Sequence, residues 1–224
     1  MAVVGVDACK TGWIAVVLRG DARAEAHHLP TIDSLPSVVD DAAVIAIDIP
    51  IGLPSSGYRT ADLDGKRFLQ RKHASLFLVP PRVVLQAPTH VEANALSVEI
   101  TGRGISRQSY GLRAKIFEVE AWLRTAPCDV YEVHPEISFA VLLGTPCTAS
   151  KKTWAGMIER QDALTRAGIE LRHIAGPAAR QAAVDDMLDA AAAAWTAQRI
   201  LDGEARTFPA NPATDTGRTI AIWA

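Results

Sequence analysis

Short and nearly uninterrupted apolar runs along the chain predict the strands of a buried sheet. Residues 3–7 and 43–49 are such runs, and they carry the aspartates Asp7 and Asp48 at or near their ends. Runs of this kind, without polar alternation, are typical of strands that are covered on both faces. Further strands are predicted at 13–19, 24–29, 128–133 and 219–223, with a hairpin turn at Gly20-Asp21.

Segments with a period near 3.6 residues predict the helices. The clearest is 107–125, where Leu112, Ile116, Val119 and Leu123 form an amphipathic stripe. Other helices are predicted at 31–41, 62–71, 88–100, 151–167 and 179–202, the last ending before Gly203.

The order of these elements predicts an α/β fold. Two consecutive hairpins give three antiparallel strands, and the strand-helix units that follow add parallel strands, so we expect a mixed five-stranded sheet with helices on both faces. The stretch of about 54–125 is too long for a plain connection and is predicted to be a helical insertion. We therefore expect one domain, 1–224, that contains this inserted subregion.

Asp7 and Asp48 are the first candidates for functional residues. If their strands are parallel neighbours, both carboxylates lie at the C-terminal edge of the sheet, where ligands bind in such folds. The alternative is that each aspartate caps a turn or helix that follows its strand.

The long helix supplies further carboxylates, Asp186 and Asp189, which share a helix face at the spacing i, i+3. Asp185 and Asp189, at i, i+4, would serve nearly as well. The alanines at 190–194 have little bulk, so this helix can lie close against the sheet and bring its carboxylates to the two strands. The alternative is a solvated acidic first turn, which the helix dipole favours.

Such a cluster, without a compensating lysine, is expected to repel itself unless divalent cations hold it. Ligands that are all oxygen favour Mg²⁺ or Mn²⁺ over zinc. Two ions about 4 Å apart would clamp the attacking and leaving oxygens of a phosphoryl displacement. A site with one ion on Asp7, Asp48 and Asp189 remains an alternative.

Overall composition restricts the function only weakly. The chain has 224 residues, 49% of them hydrophobic, and a formal net charge of -2, so no global basic charge indicates nucleic acid or an anionic membrane. The three cysteines suggest neither a disulfide framework nor a zinc knuckle. Without a signal-like start or an apolar run of membrane-spanning length, a cytoplasmic protein with no membrane partner is expected.

Two further groups of polar residues are weaker candidates. Glu132 and His134 follow a predicted strand, and His134 is a candidate general acid or water-orienting group. The alternatives are that Glu132 pairs with an arginine and that His134 belongs to a rigid turn. Candidates for substrate phosphate binding are Arg59, Arg67, Arg82, Lys151 and Lys152. A solvated helix face is the alternative for the basic insertion, whereas lysines at a helix start favour contact with an anion.

Several motifs resemble a known family. They are Gly5-Val6-Asp7 with Gly12-Trp13, Ile47-Asp48-Ile49-Pro50-Ile51-Gly52-Leu53-Pro54, Arg59-x-x-Asp62, Ser75-x-Phe77-x-Val79-Pro80-Pro81-Arg82, Tyr131-Glu132-Val133-His134-Pro135-Glu136, Lys151-Lys152-Thr153 and Asp186-x-x-Asp189-Ala190. As a set they resemble the domain-of-unknown-function family numbered 429, described as predicted nucleases of the RNase H-like superfamily. The C-terminal helix also resembles that of RuvC-type resolvases, in which both carboxylates are metal ligands.

The resemblance implies an RNase H-like sheet and a Mg²⁺- or Mn²⁺-dependent nuclease whose metal ligands are Asp7, Asp48, Asp186 and Asp189. One departure is that the superfamily often has a glutamate where this chain has Asp48, whose side chain is one methylene shorter. The resemblance therefore leaves the number and the spacing of the metal ions open. DNA or RNA is the implied partner. A homodimer like that of resolvases is compatible with the sequence, although no interface stripe is identifiable.

Two other functions remain open at this stage. A non-catalytic binding module of the same fold fits the near-neutral charge, although the retained aspartates speak against it. An actin-like or sugar-kinase-like phosphotransferase has a similar first hairpin, but it needs two such halves and a glycine-rich adenosine motif, which this sequence does not have.

Overall fold

A computed structural model describes residues 1–20, 23–215 and 218–224 of the chain. The predicted turn at Gly20-Asp21 therefore lies partly outside the described residues, since Asp21 is not among them. Within the described part, none of the helices combines the length and the apolar character needed to cross a membrane.

The centre of the fold is a mixed five-stranded sheet, as predicted. Its strands are β1 (Ala2–Cys9), β2 (Gly12–Leu18), β3 (Ala24–Leu29), β4 (Ala42–Ile47) and β5 (Asp129–Glu132). The spatial order is β3-β2-β1-β4-β5. The first three strands are antiparallel, and β4 and β5 add in parallel to β1. The parallel pairs explain why β1 and β4 are buried on both faces.

Helices flank this sheet. They are α1 (Thr60–Leu69), α2 (Arg82–Gln86), α3 (His90–Thr101), α4 (Arg107–Gly111), α5 (Arg113–Trp122), α6 (Pro135–Leu143), α7 (Trp154–Arg166), α8 (Gly176–Gln181) and α9 (Val184–Leu201). Two 3-10 helices, Ile32–Ser37 and Gln70–Ser75, complete the helical elements of the described residues. The helices α1 to α5 all lie in the long connection between β4 and β5.

One face of the sheet packs directly against α9. A Cβ built on Gly5 of β1 would lie 2.0 Å from the backbone nitrogen of Ala194 and 2.1 Å from the carbonyl oxygen of Ala190. Glycine is therefore required at position 5, because the helix backbone touches the strand there. The alanine-rich surface does allow α9 to lie close to the sheet, as the sequence predicts.

The other face of the sheet packs against the connection between β4 and β5. Ile116, Val119 and Leu123 from the predicted amphipathic stripe are buried in the same apolar cluster as Val6 and Ile47 of the central strands. The stripe is therefore confirmed as a core face, and it anchors α5 on the side of the sheet opposite α9.

Several elements differ from the sequence prediction, among them the helix predicted at 31–41, where the structure has the 3-10 helix Ile32–Ser37. The helix predicted at 107–125 is divided into α4 and α5, and the one at 179–202 is divided into α8 and α9 by extended backbone at Ala182 and Ala183. A strand at 207–215 was not predicted, because its prolines are unfavourable in a central strand but tolerated at an edge. This strand, β6 (Thr207–Asp215), pairs with β7 (Arg218–Trp223) in a separate two-stranded sheet.

Candidate metal centre

Three carboxylates from three separate elements converge at one edge of the main sheet. Oxygen atoms of Asp7, Asp48 and Asp189 all lie within 4.8 Å of one another. The strand register explains two of them: Val6 pairs with Ile47 in parallel, and the amide of Asp48 donates to the carbonyl of Val6 at 2.9 Å. The next residue on each strand is an aspartate, so both carboxylates leave the sheet side by side.

The helix α9 brings the third carboxylate. Asp189 directly precedes Ala190, whose carbonyl lies against Gly5, so the contact between helix and strand fixes the position of Asp189 above β1. Asp189 is only 1% exposed, and its Oδ1 atom is buried without a hydrogen-bond partner among the described residues. A buried carboxylate oxygen without a donor is unfavourable. This oxygen is therefore a candidate ligand for a cation.

The structure does not bring Asp186 to this cluster. Its carboxylate instead accepts a hydrogen bond at 3.2 Å from the backbone amide of Ala183, at the start of α9. Asp186 thus lies in an acidic first helical turn, as in the alternative left open by the sequence, and there it caps the helix start. Of the predicted pair, Asp189 therefore lies in the cluster and Asp186 caps the helix.

Burial and mutual repulsion raise the pKa values of all three clustered carboxyls. Removal from water is the largest cause for each, and the neighbouring carboxylates add to it for Asp7 and Asp48. The pKa of Asp7 lies well above its usual range, that of Asp48 rises to about 8, and that of Asp189 rises to about 6 although Lys151 acts against the increase. The protein thus holds a group of carboxyls whose ionised forms are disfavoured by burial unless a cation is bound.

Lys151 provides a positive charge inside this cluster. Its Nζ atom donates to Oδ2 of Asp189 and lies 3.8 Å from Oδ2 of Asp185. The sequence argument that the cluster has no compensating lysine was therefore wrong. The expectation that these lysines contact an anion was right. The anions, however, are carboxylates of the same chain: Asp189 for Lys151, and Asp185, at 2.5 Å, for Lys152.

The loop that carries Lys151 is fixed by buried contacts. Arg160 is 1% exposed; it donates to the carbonyls of Gly156 at 2.9 Å and Ala149 at 3.4 Å and pairs with Glu136 at 2.5 Å. Glu159 accepts hydrogen bonds from the amides of Thr148 and Ala149 at 2.7 and 3.0 Å. The position of Lys151 is therefore set by the protein core.

Glu132 lies on the opposite face of the sheet from the cluster. In the parallel register it pairs with Ile47, and neighbouring residues in a strand point to opposite faces, so Glu132 and Asp48 diverge. Glu132 instead forms a salt bridge with Arg59 at 2.7 Å and accepts from the amide of Ile51 at 2.7 Å. This pairing with an arginine is the alternative that the sequence had left open.

Arg59 is engaged in the same buried network. It is 5% exposed, pairs with Asp62 at 2.5 Å as well as with Glu132, and donates to the carbonyl of Ile51 at 3.2 Å. Its charge is compensated inside the protein. Arg59 therefore holds the loop that follows Asp48; it also lines the cleft above the cluster, but there it is already paired with Asp62 and Glu132.

The other predicted phosphate-binding residues are only partly brought to the site. Arg67 pairs with Asp64 on the exposed side of α1, and Arg82 pairs with Glu120 at 2.8 Å, away from the cluster. Lys152 is largely exposed and pairs with Asp185. Among these candidates only Lys151 contacts the cluster. Arg71 and Lys72, which belong to the basic insertion noted in the sequence, also line the cleft above it.

His134 lines the same cleft. Burial lowers its pKa to about 4, with the charge of Lys151 acting in the same direction, so the ring is neutral at pH 7. Its Nε2 atom lies 3.3 Å from the carbonyl of Ser75, which places the proton on Nε2 and leaves Nδ1 as an acceptor. Nδ1 is buried and has no hydrogen-bond partner among the residues that the structure describes. A neutral ring of this kind can orient a water molecule but is not an effective acid near pH 7.

The cleft above the carboxylates has a volume of about 510 Å³. One wall is apolar, with Ile49, Leu76 and Phe77, and the floor holds Asp7, Asp48 and Asp189. This size is in the range of small-ligand sites. A larger and shallower groove of about 670 Å³ runs between α2 and α5, but it does not include the carboxylate cluster.

Comparisons with known proteins identify a family but no function. The family described as "Protein of unknown function (DUF429)" matches residues 5–214 of the chain. No curated protein matches, and no solved structure matches. The function must therefore be argued from the site itself.

Proposed function

This chain belongs to the DUF429 family of proteins of unknown function, and we propose that it is a divalent-cation-dependent phosphodiesterase that acts on nucleic acid. The observation that carries the proposal is the convergence of Asp7, Asp48 and Asp189 within 4.8 Å, together with the unpartnered buried Oδ1 of Asp189. We further propose an RNase H-like fold, which the strand order β3-β2-β1-β4-β5 supports. A cytoplasmic location, expected from the sequence, is part of the proposal.

The donor set fits a hard divalent cation. Three carboxylates supply only oxygen ligands, which suit Mg²⁺ or Mn²⁺ and do not favour zinc. Asp7, Asp48 and Asp189 would hold the ion. The raised pKa values of these groups support the same interpretation, because burial and nearby carboxylates disfavour the ionised forms and a bound cation would favour them.

A bound Mg²⁺ or Mn²⁺ would supply Lewis acidity toward a phosphate oxygen and lower the pKa of water. The chain's own residues account for binding and orientation. Arg71 and Lys72 line the cleft and attract the negative charge of a phosphodiester. Lys151 holds Asp189 in place, and the neutral His134 offers its free Nδ1 as an acceptor that orients a water molecule.

A non-catalytic binding module is the second candidate. The specific observation in its favour is the pair between Lys151 and Asp189, which neutralises part of the cluster without a metal ion. With the remaining carboxyls protonated, the site can persist as a structural element. The two candidates differ in whether replacement of Asp7 removes an activity.

The test is hydrolysis of end-labelled single- and double-stranded DNA and RNA with Mg²⁺, Mn²⁺ or EDTA. We expect cleavage that needs the metal and that falls by at least about 100-fold in Asp7→Asn, since a metal ligand is lost. The matched control is Asp162→Asn, which changes an exposed aspartate on α7 and is expected to keep full activity. If Asp7→Asn cleaves as well as the parent, the proposed active site is wrong.

A further inference from the structure

We propose that Lys151 takes the place of a second divalent cation, so that the carboxylate site binds one metal ion and not two. This inference rests on the proposed function, because it concerns the same site. It is carried by the way in which the two oxygens of Asp189 are used, by the charge balance of the cluster, and by the partners of the surrounding carboxylates.

The two carboxylate oxygens of Asp189 have different environments. Oδ2 accepts a hydrogen bond from Nζ of Lys151, whereas Oδ1 is buried and has no hydrogen-bond partner in the part of the chain that the structure describes. A metal ion can therefore use Oδ1 together with Asp7 and Asp48 while Lys151 remains on Oδ2. A second ion could not use the other oxygen of Asp189 as well, because the ammonium group of Lys151 already occupies it.

The charges of the cluster balance with a single ion. Asp7, Asp48 and Asp189 carry three negative charges when ionised, and Lys151 contributes one positive charge. One divalent cation neutralises the remaining two. A second divalent cation would give the cluster a net positive charge beside the half-buried ammonium group of Lys151, which is unfavourable.

The carboxylates that could support a second ion are engaged elsewhere in the described residues. They are Glu132 with Arg59, Glu136 with Arg160, Asp185 with Lys152, and Asp186 with the amide of Ala183. Recruiting Glu136 or Asp185 would take a carboxylate away from Arg160 or Lys152, and recruiting Glu132 would leave Arg59 with Asp62 alone. For the buried Arg59 and Arg160 this loss is especially costly.

The backbone segment that carries Lys151 is held in place by several contacts. Its loop is held by Arg160 and Glu159, as described above, and the close approach of Gly156 to the carbonyl of Ser150 fixes the backbone beside it. A Cβ on Gly156 would lie 2.0 Å from that carbonyl oxygen. The lysine is thus presented to Asp189 by a rigid segment.

The experiment is the stoichiometry of Mn²⁺ binding, measured by calorimetry and by electron paramagnetic resonance on the full-length protein. We expect the parent to bind one Mn²⁺ with the spectrum of an isolated ion. Lys151→Met should admit a second ion and show the exchange coupling of a Mn²⁺ pair. Lys151→Arg, which keeps the charge, and Lys152→Met, which removes the neighbouring lysine, should each bind one ion.

The results separate this inference from the proposed function. Two coupled ions in the parent, or a single ion in a folded Lys151→Met, would overturn the role of Lys151 while leaving a metal-dependent activity intact. The parent measurement decides the stoichiometry even if Lys151→Met does not fold. If the parent binds no Mn²⁺ at millimolar concentration, the proposed function itself fails and this inference fails with it.

Discussion

The contact between Gly5 and α9 leads to a prediction about a residue that touches no ligand. A Cβ at position 5 would lie 2.0 Å from the nitrogen of Ala194, whereas ordinary contact begins at 3.4 Å, so Gly5→Ala must displace α9 by about 1.4 Å. Both atoms that it meets belong to the helix backbone and cannot rotate away. We expect a cost near the upper end of overpacking, about 3 kcal/mol, which lowers Tm by about 6–12 °C.

The same displacement should weaken metal binding. Asp189 directly precedes Ala190, so a shift of α9 moves this carboxylate relative to Asp7 and Asp48 by much more than the few tenths of an ångström that a metal site tolerates. We expect the affinity for Mn²⁺ to fall by at least about tenfold. Differential scanning fluorimetry measures the first effect, and isothermal titration calorimetry measures the second.

The matched control is Gly111→Ala. Gly111 lies in α4, and a Cβ there meets nothing within 4 Å, so the change should leave Mn²⁺ affinity unaltered and stability equal or slightly higher. A Gly5→Ala protein with the parent's Tm and Mn²⁺ affinity would refute the reasoning. It would mean that α9 does not rest on β1 and that Asp189 is not held where the metal site requires it.

Two other predictions concern charge. Because burial raises the pKa of Asp48 to about 8 in the folded protein, the folded state binds more protons than the unfolded state. The protonated carboxyl therefore contributes to the free energy of unfolding. This contribution is complete below the ordinary pKa of an aspartate and is lost as pH rises through the folded value. The lowered pKa of His134 acts in the opposite direction, but only below about pH 6.5. In EDTA, Tm should therefore fall between pH 7 and 9, and the fall should be smaller in saturating Mg²⁺ and in Asp48→Asn; an equal fall in all three would contradict the assignment. Arg59→Met leaves Asp62 and Glu132 buried without their cation and should cost about 3–5 kcal/mol in urea unfolding, whereas a loss below about 1 kcal/mol would show that the network is not buried as described.

The sequence predicts the sheet and, among the clustered carboxylates, Asp7 and Asp48 from local features alone. Asp7 and Asp48 each follow an apolar run, and a parallel pairing of the two strands is enough to place them side by side. The alternation of side chains along a strand also holds the answer for Glu132. Its register opposite Ile47 turns it away from Asp48, but that register follows from the folded sheet and not from the spacing of residues along the chain.

The remaining features of the site depend on contacts between distant segments. Lys151 and Asp189 are separated by 38 positions, and Arg160 with Glu136 by 24. The one local signal for Lys151 was its unfavourable position at a helix start, which indicates an anion without identifying it. The choice between Asp186 and Asp189 likewise needed the structure, because an acidic residue in the first helical turn serves as a cap as readily as a ligand.

The most direct test of the metal centre is a crystal of the parent protein soaked in Mn²⁺ and measured for anomalous scattering. We expect one anomalous peak in contact with oxygen atoms of Asp7, Asp48 and Asp189, at about 2.0–2.3 Å from each. Lys151 should remain on the other oxygen of Asp189. If Mn²⁺ has demonstrably entered the crystal and the map shows no peak at these three carboxylates, they do not form a metal site.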